Sequence, residues 1–177
     1  MLKIPQAPDV DIRFAQKIYR LILISSFVWL FLIILPPLLM QLGGVFEKFA
    51  SYIYLAFSPL CHQEEERSFS LAGFQLAVCS RCTMIYAGFF AAVVAYPMFR
   101  RLGNINTPSL WLLIIPLILL ALDVIIDNAG IFRNTFVTRS ITGFAIGFAL
   151  TFFLIPGFIR FFYEVTSFFR SKAGADL

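Results

Sequence analysis

Charged side chains are scarce in this chain: Asp, Glu, Lys and Arg make up 14% of its 177 residues, against about 25% in an ordinary globular protein. A soluble domain of this length has too little interior to hide the apolar remainder, so a soluble enzyme is excluded, and a disordered tail with it. Cysteine is rare, with three residues in all, too few for the framework of a disulfide-stapled secreted domain. Histidine occurs once. Dense Lys/Arg runs and aromatic–basic stripes are missing, so the net charge of +4 implies no nucleic-acid partner. Basic residues beside membrane spans account for it. There is no repeat of fixed period and no low-complexity stretch.

What the sequence has is apolar length. Hydrophobic residues make up 60% of it, 22 of them Phe, and the mean hydropathy is +0.86. The apolar residues gather in nearly uncharged runs of 16 to 20, the length a bilayer demands. The first span is expected at 21–40, free of charge and broken only near its end by Pro36-Pro37. It is too long for a signal-peptide core and has no small-residue cleavage site behind it. The second run, 84–99, gives about 24 Å of helix, less than a hydrocarbon core of about 30 Å. Its helix is therefore expected to begin near Cys79 and to span 80–99. A third span, 110–127, carries a kinking Pro116 and an internal Asp123, and a fourth, 140–159, carries Gly143 and Gly147 in the G-x-x-x-G spacing that permits close helix approach.

Residues 45–58 are apolar and aromatic but start with Glu47-Lys48, which predicts an interfacial or re-entrant helix. A Cys/His loop, 59–83, follows, and 171–177 read as a frayed tail. The fold class is thus an all-α integral membrane protein, one membrane domain over 1–177 with four transmembrane helices. With the N-terminus inside, nine basic residues fall in cytoplasmic segments (Lys3, Arg13, Lys17, Arg20, Arg100, Arg101, Arg160, Arg170, Lys172) and five outside (Lys48, Arg67, Arg81, Arg133, Arg139). That bias predicts a multi-pass protein of the cell (inner) membrane with both termini cytoplasmic. If 45–58 spans instead, the bias falls to eight against six and the Cys/His loop becomes cytoplasmic.

The scarce residues carry the chemistry. Cys61, His62, Cys79 and Cys82 lie within 22 residues of one another. Three thiolates and an imidazole suit a tetrahedral zinc site, and Cys-x-x-Cys is a usual spacing for two ligands on one turn. The adjacency of Cys61 and His62 makes joint ligation of one ion sterically awkward. The competing chemistry is thiol–disulfide exchange. A Cys-x-x-Cys at a helix N-terminus feels the positive end of the helix dipole, and Arg81 adds charge that favours thiolate. In that reading Cys79 and Cys82 are the redox pair and Cys61 a third partner. Packing, or one structural disulfide, is the plainer use of the same cysteines.

Asp123 and Asp127 are four residues apart, on one face of the third span. Carboxylates at that depth face the bundle and need partners. Arg139 is the natural counter-ion, with Arg133 and Arg67 as others. These groups serve either as a pair that fixes helix register or as catalytic residues, Asp123, Asp127 and Arg139. Arg67, Arg81 and Gln63 are the substrate-binding candidates, since guanidinium beside a metal suits phosphate or carboxylate. The plainer use of both arginines is as headgroup-level anchors. Glu64–Glu66 read as a solvated run, and Tyr86, Gly88, Ala92 and Gly143 as packing positions.

The string Cys61-His62-Gln63, Arg67-Ser68-Phe69, Gly73, then Cys79-x-Arg81-Cys82-Thr83-x-x-Tyr86-x-Gly88 resembles a family of small predicted bacterial and archaeal membrane proteins of unknown function. Asp123 and Arg139 with Thr142-Gly143 extend the resemblance, which covers roughly 50–157. Met84 stands where the family usually has Gly. The resemblance supports the site and implies no activity.

Three functions remain open. One is a zinc-like centre with a polar Asp/Arg pocket at the extracytoplasmic boundary, acting on an anionic lipid-like substrate. Another is a membrane thiol oxidoreductase that exchanges electrons with a quinone or a partner protein. The last is a non-enzymatic carrier or complex subunit. The lipid bilayer is the one partner common to all.

Overall fold

The computed structural model describes the backbone of residues 11–175 and side chains as far as 168. Lys3 and the last two residues of the expected tail lie outside the described residues. Five α-helices follow one another: α1 (Ile12–Leu42), α2 (Val45–Phe57), α3 (Ser80–Phe99), α4 (Trp111–Asn128) and α5 (Phe136–Ala175). Among the described residues, four helices (all but α2) are long and apolar enough to cross a bilayer.

The helices outrun their apolar runs. α1 starts at Ile12, where the side chain of Asp11 caps it by accepting from the Arg13 N–H at 3.0 Å. Its first turns carry Arg13, Lys17 and Arg20 beyond the uncharged stretch. α5 continues through the expected frayed segment to Ala175. Its 40 residues give about 60 Å of helix, about twice a hydrocarbon core.

α2 has 13 residues, about 20 Å, too short to cross. Gly43 and Gly44, both at positive φ (67° and 62°), reverse the chain before it, a conformation that costs glycine nothing. α2 then runs back along α1 until the Phe57 ring meets Trp29, with centroids 5.2 Å apart. α2 is the interfacial or re-entrant helix expected for this segment. The loop beyond it contains a short hairpin, β1 (Ser70–Leu71) against β2 (Phe74–Gln75), which the hydropathy pattern did not reveal.

Prolines inside the helices create docking points. Pro37 has no N–H, so the Ile33 carbonyl loses its partner four residues on. That carbonyl instead accepts the N–H of Ala77 at 3.1 Å. Pro97 frees the Val93 carbonyl in the same way, and the Tyr19 hydroxyl donates to it at 3.0 Å. In lipid a freed carbonyl must find a partner within the protein. Pro37 and Pro97 thus each fasten one element to another.

α3 and α5 form the closest pair. A Cβ added at Gly147 would sit 2.0 Å from the Ile85 carbonyl oxygen, one at Gly143 2.6 Å from that of Arg81, and one at Gly88 2.3 Å from that of Phe144. Only hydrogen fits at these three places, and this close approach is what the G-x-x-x-G spacing predicts. α4 packs chiefly on α5 and has no buried residue. Leu113, Pro116, Leu120 and Val124 are half-buried along one face together with Asp123 and Asp127, and the remaining apolar surface faces outward, as a lipid-facing helix allows. Polar bonds add to that apolar contact in fastening α4.

Candidate metal centre

The end of the bundle where α1 and α4 finish and α3 and α5 begin collects the scarce residues. After α2 the Cys61 N–H donates to the Phe57 carbonyl at 3.1 Å, and the tight turn buries Cys61 to 7% exposure. Cys79 is the N-cap of α3 and Cys82 lies in its first turn, three residues on and on the same face. The sulfur atoms of Cys61, Cys79 and Cys82 all lie within 4.8 Å of one another. All three thiols are free. The Cys79 N–H donates to the Cys61 sulfur at 3.2 Å.

Hydrogen bonds from the Cys79 and Cys82 thiols, and from the backbone N–H groups of Cys79 and Gln63, outweigh burial and hold the Cys61 thiol well below its ordinary range. The N-terminus of α3 favours negative charge at the same place. Soft anionic sulfur ligands are what such a site offers.

His62 is not part of this group. The turn that buries Cys61 leaves His62 exposed, and the metal-competent cluster consists of the three cysteines. Adjacent residues in that turn point apart, so the four-ligand set narrows to three sulfurs.

Gln63 has a different task from the expected one. At φ 53° it turns its side-chain amide inward, where it donates to the Tyr54 carbonyl at 2.7 Å and the Ala77 carbonyl at 2.8 Å. Its donors are spent on tying α2 to the segment before Cys79, not on a substrate. The Tyr54 hydroxyl adds a bond to the Gln75 carbonyl. With the Ile33–Ala77 bond, these ties set the sulfurs level with Ile33 on α1. Ile33 is seven residues short of the end of the apolar run at Met40, about 10 Å along the helix.

The Asp/Arg cluster lies beside this site. Arg81 pairs with Asp123 at 2.5 Å and Arg139 with Asp127 at 2.9 Å. Arg139 is thus a counter-ion as expected, although its partner is the shallower carboxylate. Arg81 is spent on the deeper one, leaving its buried Nε unpaired, as is the neighbouring Ser80 hydroxyl. Arg67, half exposed, pairs instead with Glu64 at 2.9 Å, a surface pair worth little.

Asn134 and Thr142 complete the network. The Asn134 side chain donates to the Asp123 carbonyl (3.0 Å) and carboxylate (2.9 Å), while its backbone N–H donates to Asp127 at 3.0 Å. The Thr142 hydroxyl reaches Asp123 at 3.4 Å. A lone Asn in a short loop between spans carries no signal by itself. Thr142 stood in the resemblance but had no role.

Fold and cluster together define a multi-pass helical membrane protein with three cysteines able to hold a metal ion. Residues 61–153, just over half the chain, match the model of a family described as predicted membrane protein (DUF2085), and the chain belongs to that family. A protein of Methanocaldococcus jannaschii, named only as uncharacterized protein MJ1492, is 36% identical over 152 residues, covering 84% of this chain and 97% of its own. A second uncharacterized protein, from Methanothermobacter thermautotrophicus, is 47% identical over 38 residues, 22% of this chain and 34% of its own. No solved structure matches.

Proposed function

We propose that this protein is a membrane metal-centre protein in which the thiolates of Cys61, Cys79 and Cys82 hold one soft divalent ion of the zinc class. The observation that carries the reading is the mutual approach of three sulfurs to within 4.8 Å. Two thiolates on one tetrahedral zinc stand about 3.8 Å apart, given Zn–S bonds of about 2.3 Å, so this spacing suits a shared ion. Three protein ligands leave a fourth position open, which is how catalytic rather than structural zinc is held. Such an ion polarises a bound oxygen or activates water.

The Arg81 Nε–H and Ser80 hydroxyl beside it are buried without a hydrogen-bond partner, so unmet polar capacity lies next to the sulfurs. With Arg67 and Arg81 each already paired to a carboxylate, a strongly anionic lipid is the less favoured substrate. The Asp123 and Asp127 pairs serve to hold α4 in register. The site faces the extracytoplasmic side of the cell membrane, with both termini cytoplasmic, on the basic-residue bias.

Elemental analysis of the purified protein tests this. It is expected to find close to one equivalent of zinc per chain, lost in Cys82→Ser. Wild-type protein with intact thiols and no near-stoichiometric metal would remove the reading.

A second reading has its own support. The Cys79 N–H bonded to the Cys61 sulfur and the helix N-terminus beneath it stabilise a thiolate, the species that attacks disulfides. The thiol-exchange reading expects Cys79 and Cys82 to alternate between thiol and disulfide in cells. Thiol trapping that finds one unchanging state opposes it.

A further inference from the structure

A cleft of about 530 Å³ opens between α1, α3 and α5, within the range of small-molecule sites. It is elongated. Its wall on α1 runs from Ile18 to Trp29 and on α5 from Gly147 to Phe162, about 16 Å and 22 Å along the helices. None of the described residues lining it is charged, and its few polar members include Ser25, Ser26 and Tyr86. The exposed Lys17 and Arg20 stand only at its Ile18–Leu21 end, and the wall beyond offers a phosphate no counter-ion, so the part near Trp29 suits a neutral group with a long apolar tail.

One end is distinct. Trp29 and Tyr86 meet there with ring centroids 5.8 Å apart, a surface suited to a flat conjugated ring. Tyr86 is four residues after Cys82 on α3, about 6 Å along the axis, and packs against the buried cluster that contains Cys61. The aromatic end of the cleft is therefore the end nearest the sulfurs.

We infer that this cleft binds an isoprenoid quinone, its ring beside Trp29 and Tyr86 and its tail running toward Ile18 and Phe162. The ring is neutral, flat and able to accept electrons beside a cluster of thiols. For its chemistry, though not for its binding, the inference rests on the thiol-exchange reading. Two cysteine thiols give up two electrons and two protons as their sulfurs join in a disulfide, and the quinone takes up both as quinol.

The test uses the full chain in detergent with Trp111→Phe, which leaves Trp29 as its one tryptophan. Quinones quench tryptophan emission at contact. Titration with decyl-ubiquinone is expected to quench Trp29 saturably, removing at least half its emission. Ser25→Phe and Leu154→Phe, each adding bulk at an exposed point of the cleft wall, are expected to abolish the saturable phase, and either variant suffices if the other fails to fold.

Quenching that rises linearly and equally in wild type and variants would reduce the effect to partition into the micelle and overturn the inference. So would saturable quenching by phosphatidylcholine with brominated acyl chains that decyl-ubiquinone fails to displace, because the cleft would then hold phospholipid. Saturable quinone quenching with no change in the count of free thiols supports the cleft and removes the thiol-exchange reading alone.

Discussion

The carbonyl of Ile33 accepts the N–H of Ala77 at 3.1 Å because residue 37 is proline and cannot take that carbonyl itself. A helix-breaking residue thereby becomes an anchor for the strand of chain that leads, two residues later, to Cys79. Pro37→Ala restores a donor to the helix, and the intrahelical bond then competes with Ala77. Metal affinity is expected to fall roughly tenfold, the lower end for loss of support around ligands, measured by competition with a chromogenic chelator. Pro97→Ala, which releases Tyr19 from Val93 far from the sulfurs, is expected to leave affinity unchanged.

Substitution of the candidate ligands separates the sulfurs from the imidazole. Cys61→Ser and Cys82→Ser are each expected to lose bound metal, whereas His62→Ala is expected to retain it, because His62 is exposed and outside the cluster. Metal-to-protein ratios after gel filtration read this directly. Loss in His62→Ala equal to that in Cys61→Ser would restore the four-ligand set.

The Arg81–Asp123 pair is mostly buried, with side chains 18% and 10% exposed. Asp123→Ala leaves the guanidinium without its partner, and breaking such a pair typically costs about 3–5 kcal/mol. A marked fall in the thermal midpoint in detergent is expected. Adding Arg81→Met should recover part of it, since the stranded charge is then gone. An additive double variant would show the pair uncoupled.

Helix approach is equally exposed to test. In Gly147→Ala the new Cβ meets the Ile85 carbonyl at 2.0 Å, while at Gly157 nothing lies within 4 Å. Gly147→Ala is expected to abolish a monodisperse peak in fluorescence-detected gel filtration. Gly157→Ala is expected to be neutral or stabilising, by up to about 1 kcal/mol from helix propensity.

These contrasts also mark what the sequence made legible. Uncharged runs announced four long helices, because lipid demands unbroken apolar length. They understated α1 and α5, since helix continues past the apolar stretch wherever the residues permit, as Phe161 to Ala175 do. The meeting of Cys61 with Cys79 and Cys82 was legible from scarcity alone. The exclusion of His62 was not, because it depends on which way two neighbours point in a turn. Both carboxylates were recognised as needing partners. That Asp123 takes Arg81, 42 residues away, follows from the α3–α5 glycine contact and from Asn134, which only folding brings together. Gln63 looked like a binding residue because polar groups beside ligands often are. Two backbone carbonyls claim it instead.

The central claim is that three sulfurs share one ion, and X-ray absorption at the zinc edge of the purified, metal-loaded protein tests it most directly. The account predicts three sulfur neighbours at about 2.3 Å and one lighter atom, with sulfur lost from the shell in Cys61→Ser. A shell of nitrogen and oxygen with two sulfurs or fewer in the wild-type protein would contradict it.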